Sequence, residues 1–205
     1  MSLPLHIQLQ NVGKQYYRRW IFREVNLDLA QNPQSALVGT NGSGKSTLLR
    51  IISGQLAPTE GKIAFSLNQS ALSITKVYQH LSWAGPQIEM YPELTLEELL
   101  KMHFQLKQCL LADPNDLIEL LDFKGHHQKP LKYFSSGMQQ RAKVGVALFS
   151  KSDLLLLDEP TSNMDEANAS RMLNLIDQYR QDRIFVLASN MKREYERLPH
   201  VLYLN

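Results

Sequence analysis

The stretch QSALVGTNGSGKSTLLRIISG, residues 34–54, constrains this chain more than any other. Ser35 to Val38 read as a short buried strand that runs straight into a glycine-rich turn and then a helix. Gly39, Thr40, Asn41, Gly42, Ser43, Gly44, Lys45, Ser46 and Thr47 follow the spacing G-x-x-x-x-G-K-[ST] in that strand–turn–helix context. Gly42 and Gly44 let the backbone turn successive N–H groups inward, an array that suits phosphate oxygens. The start of the helix adds its partial positive charge. Lys45 is placed to reach β- and γ-phosphates, and Ser46 offers an oxygen ligand to Mg²⁺. The nine residues imply a phosphate loop on an α/β sheet.

A second stretch, LLLLDEP at 154–160, is four leucines ending in two carboxylates. A buried strand that delivers Asp158 and Glu159 to its C-terminal end sets them where open α/β sheets bind ligands. Asp158 suits a partner of the Mg²⁺ waters, and Glu159 suits a general base that polarises an attacking water. Together the two motifs imply a P-loop nucleotide hydrolase, with catalytic candidates Lys45 and Glu159.

The remaining pattern is α/β: a mainly parallel sheet, an antiparallel β edge and a helical insert. Residues 5–10 and 24–30 alternate apolar and polar, predicting half-exposed antiparallel strands. Residues 61–65 and 74–85 supply further strand material. Between about 93 and 134 the character turns helical. Thr95 with Glu98 reads as a capping box, and Asp113 before Pro114 reads as a second cap. Helices at 136–149 and 165–181 then alternate with strands at 153–158, 183–188 and 200–204. The expected organisation is a single domain over 1–205, with 1–92 and 135–205 as nucleotide-binding core and 93–134 as the insert. No appended regulatory domain is expected.

Composition excludes several classes. A chain of 205 residues with 43% hydrophobic and 20% charged residues is ordinary globular material rather than disordered. A net charge of +2 with scattered Lys and Arg gives no nucleic-acid footprint. The single cysteine, Cys109, cannot form an intrachain disulfide and fits a reducing compartment. The pair His126-His127 has no Cys or His partner at metal-ligand spacing and reads as a solvated turn. No secretion signal is apparent at the N-terminus, and no apolar run approaches the ~20 residues needed to cross a bilayer.

YFSSGMQQRAKVGVAL, residues 133–148, narrows the reading. It resembles the signature motif of ATP-binding-cassette (ABC) ATPases, Leu-Ser-Gly-Gly-Gln or Leu-Ser-x-Gly-Met before a basic helix. Phe134 stands for the leucine, Ser135 and Gly137 are in register, Ser136 replaces a common glycine, and Met138 and Gln139 follow. The resemblance implies that Ser135–Gln139 act in trans, on ATP held by a partner's phosphate loop. It also implies that Tyr16 stacks on adenine, with Tyr17 as the alternative. Gln87, rather than Gln79, corresponds to the glutamine that touches Mg²⁺ and couples the site to the helical insert. SNMD at 162–165 corresponds to the D-loop, with Ser162 and Asp165 in register and Asn163 and Met164 as departures. The resemblance runs along essentially the whole chain, and its short length is similar to compact exporter ATPases, including the cytochrome c haem-exporter group.

One position departs from the family more consequentially. The strand IFVLAS, 184–189, ends at Asn190, where ABC ATPases usually carry a histidine that contacts the γ-phosphate. A carboxamide donates a hydrogen bond but never becomes cationic. Two readings stay open: hydrolysis is slowed or depends on a complementary partner, or Glu159 does the chemistry and Asn190 only positions phosphate. The resemblance implies an ATP- and Mg²⁺-dependent ATPase subunit, working as a homodimer or heterodimer with integral membrane permease subunits. Its expected place is cytoplasmic, peripheral on the inner face of the cell membrane. An ATP-dependent dimerisation or regulatory module with little turnover is the alternative. A soluble ABC ATPase acting on DNA or ribosomes would carry a coiled coil or a second cassette, and a P-loop kinase would have no use for SSGMQQR.

Overall fold

The computed structural model describes residues 3–204, so residues 1, 2 and 205 of the expected domain lie outside the described residues. In chain order the strands are β1 (Leu5–Tyr16), β2 (Arg19–Asp28), β3 (Gln34–Val38), β4 (Glu60–Leu67), β5 (Ser70–Ala71) and β6 (Leu81–Ala84), then β7 (Leu154–Asp158), β8 (Ile184–Ser189) and β9 (His200–Tyr203). The helices are α1 (Lys45–Ile52), α2 (Leu96–Leu106), α3 (Asp116–Leu120), α4 (Ser136–Phe149), α5 (Glu166–Tyr179) and α6 (Lys192–Tyr195). The chain divides into two compact units. One comprises Met1–Leu81, Ser152–Asp158 and Asp182–Asn205, and the other Ser82–Lys151 and Glu159–Gln181.

The first unit holds two sheets. An antiparallel sheet orders its strands β2-β1-β4-β5. Along β1, Leu5, Ile7 and Leu9 are buried while the residues between them are partly exposed, the alternation expected of a one-sided sheet. Tyr17 and Arg18 join β1 to β2 with φ of 46° and 65°. Two successive left-handed residues make the mirror-image turn that matches the twist of a hairpin. The other sheet runs β7-β8-β3-β9 within this unit, with every pairing parallel. Leu154–Leu157 and Ile184–Ala188 are wholly buried, as continuous apolar runs in parallel strands require. Helix α1 packs against β7 and β8 through Leu48, Leu49, Ile51 and Ile52.

The second unit contains α2, α3, α4 and α5. Helix α2 starts at the expected capping box: the Glu98 amide donates to the Thr95 hydroxyl at 3.2 Å, and the Thr95 amide donates to the Glu98 carboxylate at 2.8 Å. Leu96, Leu99 and Leu100, at i, i+3 and i+4, form its buried stripe. Helix α4 spans the predicted 136–149. The expected insert 93–134 lies inside this unit, which also takes in α4 and α5.

Two local expectations give way to other geometry. Residues 74–80 form a 3₁₀ helix, Ile74–His80, rather than strand, and only Leu81–Ala84 is extended. The Ser73 hydroxyl caps that helix by accepting from the Thr75 amide at 3.4 Å, and Val77 alone in it is buried, so no two-sided strand face exists to be covered. Asp113 does not cap α3. Its carboxylate accepts from the Asn115 amide at 2.8 Å, turning the chain before a helix that starts only at Asp116.

Candidate nucleotide-binding site

The sequence-predicted residues fall in both units. Tyr16, Gly39 to Thr47, Asp158 and Asn190 belong to the first; Gln87, Ser135 to Gln139, Glu159, Ser162 and Asp165 belong to the second.

In the first unit the chain leaves β3 and turns through the loop into α1. Gly44 caps the helix with φ 99° and ψ 9°, and a Cβ there would lie 2.5 Å from the Ile21 side chain, so both backbone and space demand glycine. The amides of Lys45, Ser46 and Thr47 stand at the helix start, where no carbonyl four residues earlier lies within the helix to accept them. Lys45 is 5% exposed, and its ammonium donates to the carbonyls of Gly39 at 2.9 Å and Thr40 at 3.0 Å. The lysine therefore spans the loop and holds its charge among the backbone groups. The Ser43 hydroxyl is buried without a hydrogen-bond partner among the described residues. A buried hydroxyl so placed has its hydrogen-bonding capacity in reserve for a ligand oxygen, and an anion fits the loop.

Asp158 ends β7 and is 3% exposed, on the strand beside which α1 packs. Ser46 and Asp158 together offer oxygen donors of the kind a hard divalent cation takes, so these residues fit Mg²⁺. When bound, Mg²⁺ neutralises charge on the phosphate oxygens. Asn190 follows β8, and its carboxamide donates to the Asn41 side chain at 3.0 Å. Asn190, expected at the switch position, is thus tied to Asn41 of the glycine-rich loop. Tyr16 ends β1 with its ring 40% exposed and the Lys14 ammonium 5.2 Å from the ring centroid. Tyr17, at the hairpin tip, is fully exposed.

In the second unit Gln87 is exposed in the turn after β6, closed by the Ile88 amide donating to the Gly85 carbonyl at 3.1 Å. Its rival Gln79 sits in the 3₁₀ helix of the first unit and donates to the Tyr78 hydroxyl at 3.3 Å. Ser135 caps α4, its hydroxyl accepting from the Met138 amide at 3.3 Å, and both Ser135 and Ser136 are exposed. Gln139 turns inward: its amide donates to the carbonyls of Leu131 at 3.2 Å and Phe134 at 3.3 Å. Asp165 caps α5, accepting from the Asn168 amide at 2.8 Å, and this hydrogen bond holds its carboxyl below the usual range.

Glu159 has φ 48°, a left-handed backbone for a residue with a side chain. Its carbonyl accepts from the Ser162 amide at 3.1 Å and from the Gln140 side chain at 3.0 Å. Sequence reasoning passed over Gln140. The signal was helix phase: Gln140, Val144 and Ala147 share the buried stripe of α4.

The sequence profile of the family described as ABC transporter matches residues 22–162, more than half of the chain. The chain belongs to the ABC transporter family. This ABC chain is 28% identical over 191 residues to the lantibiotic transport ATP-binding protein SrtF of Streptococcus pyogenes, covering 90% of this chain and 79% of that protein. It is 28% identical over 188 residues to the cytochrome c biogenesis ATP-binding export protein CcmA of Brucella abortus, covering 91% and 86% respectively. To the ATP-binding cassette sub-family A member 17 of Mus musculus it is 26% identical over 200 residues, which span 94% of this chain but 12% of that much longer protein. Among solved structures, an ABC transporter ATP-binding protein of Pyrococcus furiosus has the same fold, with a TM-score of 0.79, 21% identity and 97% of each chain covered. A bacterial Atm1-family ABC exporter with ATP bound gives a TM-score of 0.82 at 19% identity, covering all of this chain and 38% of that one. The P-loop fold and the family resemblance therefore stand. Among the described residues, no helix is long and apolar enough to cross a membrane.

Proposed function

We propose that this chain is the ATP-binding and ATP-hydrolysing subunit of a membrane transporter, working as a dimer against separate permease subunits. The observation that carries this reading is the glycine-rich loop with its buried Lys45, together with the buried Asp158 at the end of β7, the strand α1 packs against. The loop amides and Lys45 bind the β- and γ-phosphates of ATP, Tyr16 stacks on adenine, and Ser46, Asp158 and Gln87 hold Mg²⁺. Glu159 accepts a proton from the attacking water as its oxygen bonds to the γ-phosphorus. The bond from that phosphorus to the β-bridging oxygen breaks, and ADP leaves with the electron pair. Ser135, Ser136 and Gly137 of one chain bind ATP held by the other, so closure of the dimer is coupled to nucleotide binding. Two relatives, one named for lantibiotic transport and one for export in cytochrome c biogenesis, support a transport role; a place at the inner face of the cell membrane, against the permease, is part of the proposal.

A second reading is favoured by Asn190: a dimerisation module that binds ATP but turns it over slowly, its switch position lacking a titratable group. Steady-state hydrolysis by the natural chain beside Glu159→Gln separates the two. The transporter-motor reading expects turnover that falls by roughly 10²- to 10⁴-fold in Glu159→Gln, with an ATP-bound dimer accumulating on size exclusion. Negligible turnover in the natural chain, with ATP binding intact, would establish the module instead.

A further inference from the structure

Gln140 lies on α4 immediately after the signature residues, and it is 5% exposed. A buried carboxamide must spend its hydrogen bonds inside the protein, and this one donates to the carbonyl of Glu159 at 3.0 Å. That carbonyl belongs to a residue held at φ 48°. For a glutamate such a backbone is sparsely populated and persists only where the surroundings hold it. Several holding contacts lie within the second unit. The Ser162 amide closes a turn onto the same carbonyl at 3.1 Å, and the Met164 amide closes the next onto Thr161 at 3.2 Å. Gly137, one turn earlier on α4, packs so closely on this segment that a Cβ there would lie 2.4 Å from the Asn163 carbonyl oxygen. The start of α4 and the segment 159–164 thus meet through close backbone packing and the buried Gln140 hydrogen bond.

We infer that Gln140 is a positioning residue: by holding the Glu159 carbonyl it fixes the left-handed backbone there and hence the direction of the Glu159 carboxylate. Released from Gln140, the glutamate relaxes toward the broad right-handed or extended regions, and its carboxylate swings away from the line of attack. The same hydrogen bond links the helix that carries Ser135 and Gly137 to the base of its own chain, so a phosphate engaged at the start of α4 bears on the element that aims Glu159. This inference deepens the proposed ATPase reading and rests on the assignment of Glu159 as base.

The test uses the full chain with Gln140→Met, close in size and lacking the donor, and Gln140→Asn, one methylene short, should the methionine variant not fold. Hydrogen exchange across residues 159–164 reads the clamp directly and needs no turnover. Faster exchange at Ser162 and Met164 in the variant is expected, and unchanged exchange overturns the clamp. Steady-state kinetics read the consequence: kcat falls roughly 10- to 100-fold while KM for ATP stays put. A rise in KM with kcat unchanged overturns the positioning role. In a Glu159→Gln background the Gln140 substitution is expected to cost nothing further, because the group it aims is gone; an equal loss there assigns Gln140 a general structural role and overturns the inference. Should Glu159→Gln itself leave turnover intact, the base assignment fails, and the exchange result still decides the clamp by itself.

Discussion

At the scale of the residue, Asn190 is the most telling departure from the family pattern. Its carboxamide donates to Asn41, so a neutral hydrogen bond joins the phosphate loop to the end of β8. The backbone there is held from beneath, where the buried Ser189 hydroxyl meets the buried Glu194 carboxylate and accepts from the Met191 amide at 2.9 Å. A histidine in the same place would titrate near 6.5, whereas the asparagine has nothing to titrate. The expected pH profile of kcat for the natural chain therefore lacks a histidine inflection from this position, and Asn190→His introduces one, with the rate changing as pH passes through about 6.5. Superimposable profiles for the two proteins would show that the side chain at 190 does not act on the reacting phosphate. Lys45 was identifiable from the loop spacing alone. Asn41's bond to residue 190 was not, because it joins positions far apart in sequence through a side-chain geometry that no local pattern encodes.

At the scale of the element, the parts read correctly from sequence are those where one strong local rule decides. Apolar runs at 154–157 and 184–188 can be satisfied only by a strand covered on both faces, and the Thr95/Glu98 spacing announces the start of α2. The failures fall where rules compete. Residues 74–80 have β-branched and aromatic side chains, but the Ser73 cap wins over strand propensity. The turn at Tyr17-Arg18 carries neither glycine nor asparagine, so its left-handed pair left no mark in composition. The capping box of α2 gives a measurable consequence. Thr95→Ala is expected to lower unfolding stability by about 1 kcal/mol, read from the urea midpoint at constant slope. Hydrogen bonds from the Thr95 amide and hydroxyl hold the Glu98 carboxyl below its ordinary 4.5. A carboxyl lowered on folding stabilises the folded state above the unfolded value and stops doing so as pH falls through the lowered one. The stability gap between the natural chain and Glu98→Gln is accordingly present at neutral pH and closes on acidification below about pH 4.5. A gap that does not change with pH would remove the carboxylate from the cap.

At the scale of the whole molecule, the fold class was readable because a phosphate loop after a buried strand admits few architectures, and the two sheets of the first unit are one of them. The assembly is a different matter: it depends on surfaces that a single chain leaves exposed. Ser135 and Ser136 are such a surface, exposed at the start of α4. If these residues complete the site of a second chain, then two defective chains can repair each other. Lys45→Ala removes the ammonium that bridges Gly39 and Thr40, and it is expected to weaken ATP binding roughly 10- to 100-fold, the value of a charged hydrogen-bonding group. Ser135→Arg leaves the phosphate loop intact but fills the cradle at the start of α4. Each variant alone is expected to be inactive. Mixed in equal amounts and allowed to exchange, they form heterodimers in which the loop of the Ser135→Arg chain faces the intact signature of the Lys45→Ala chain. Random pairing makes half the dimers mixed, each with one whole site of two, so roughly a quarter of natural turnover is expected to return if the sites work independently. Turnover that stays at the sum of the separate variants would mean that the signature does not complete a partner's site, and the exposed serines of α4 would then be only a helix cap.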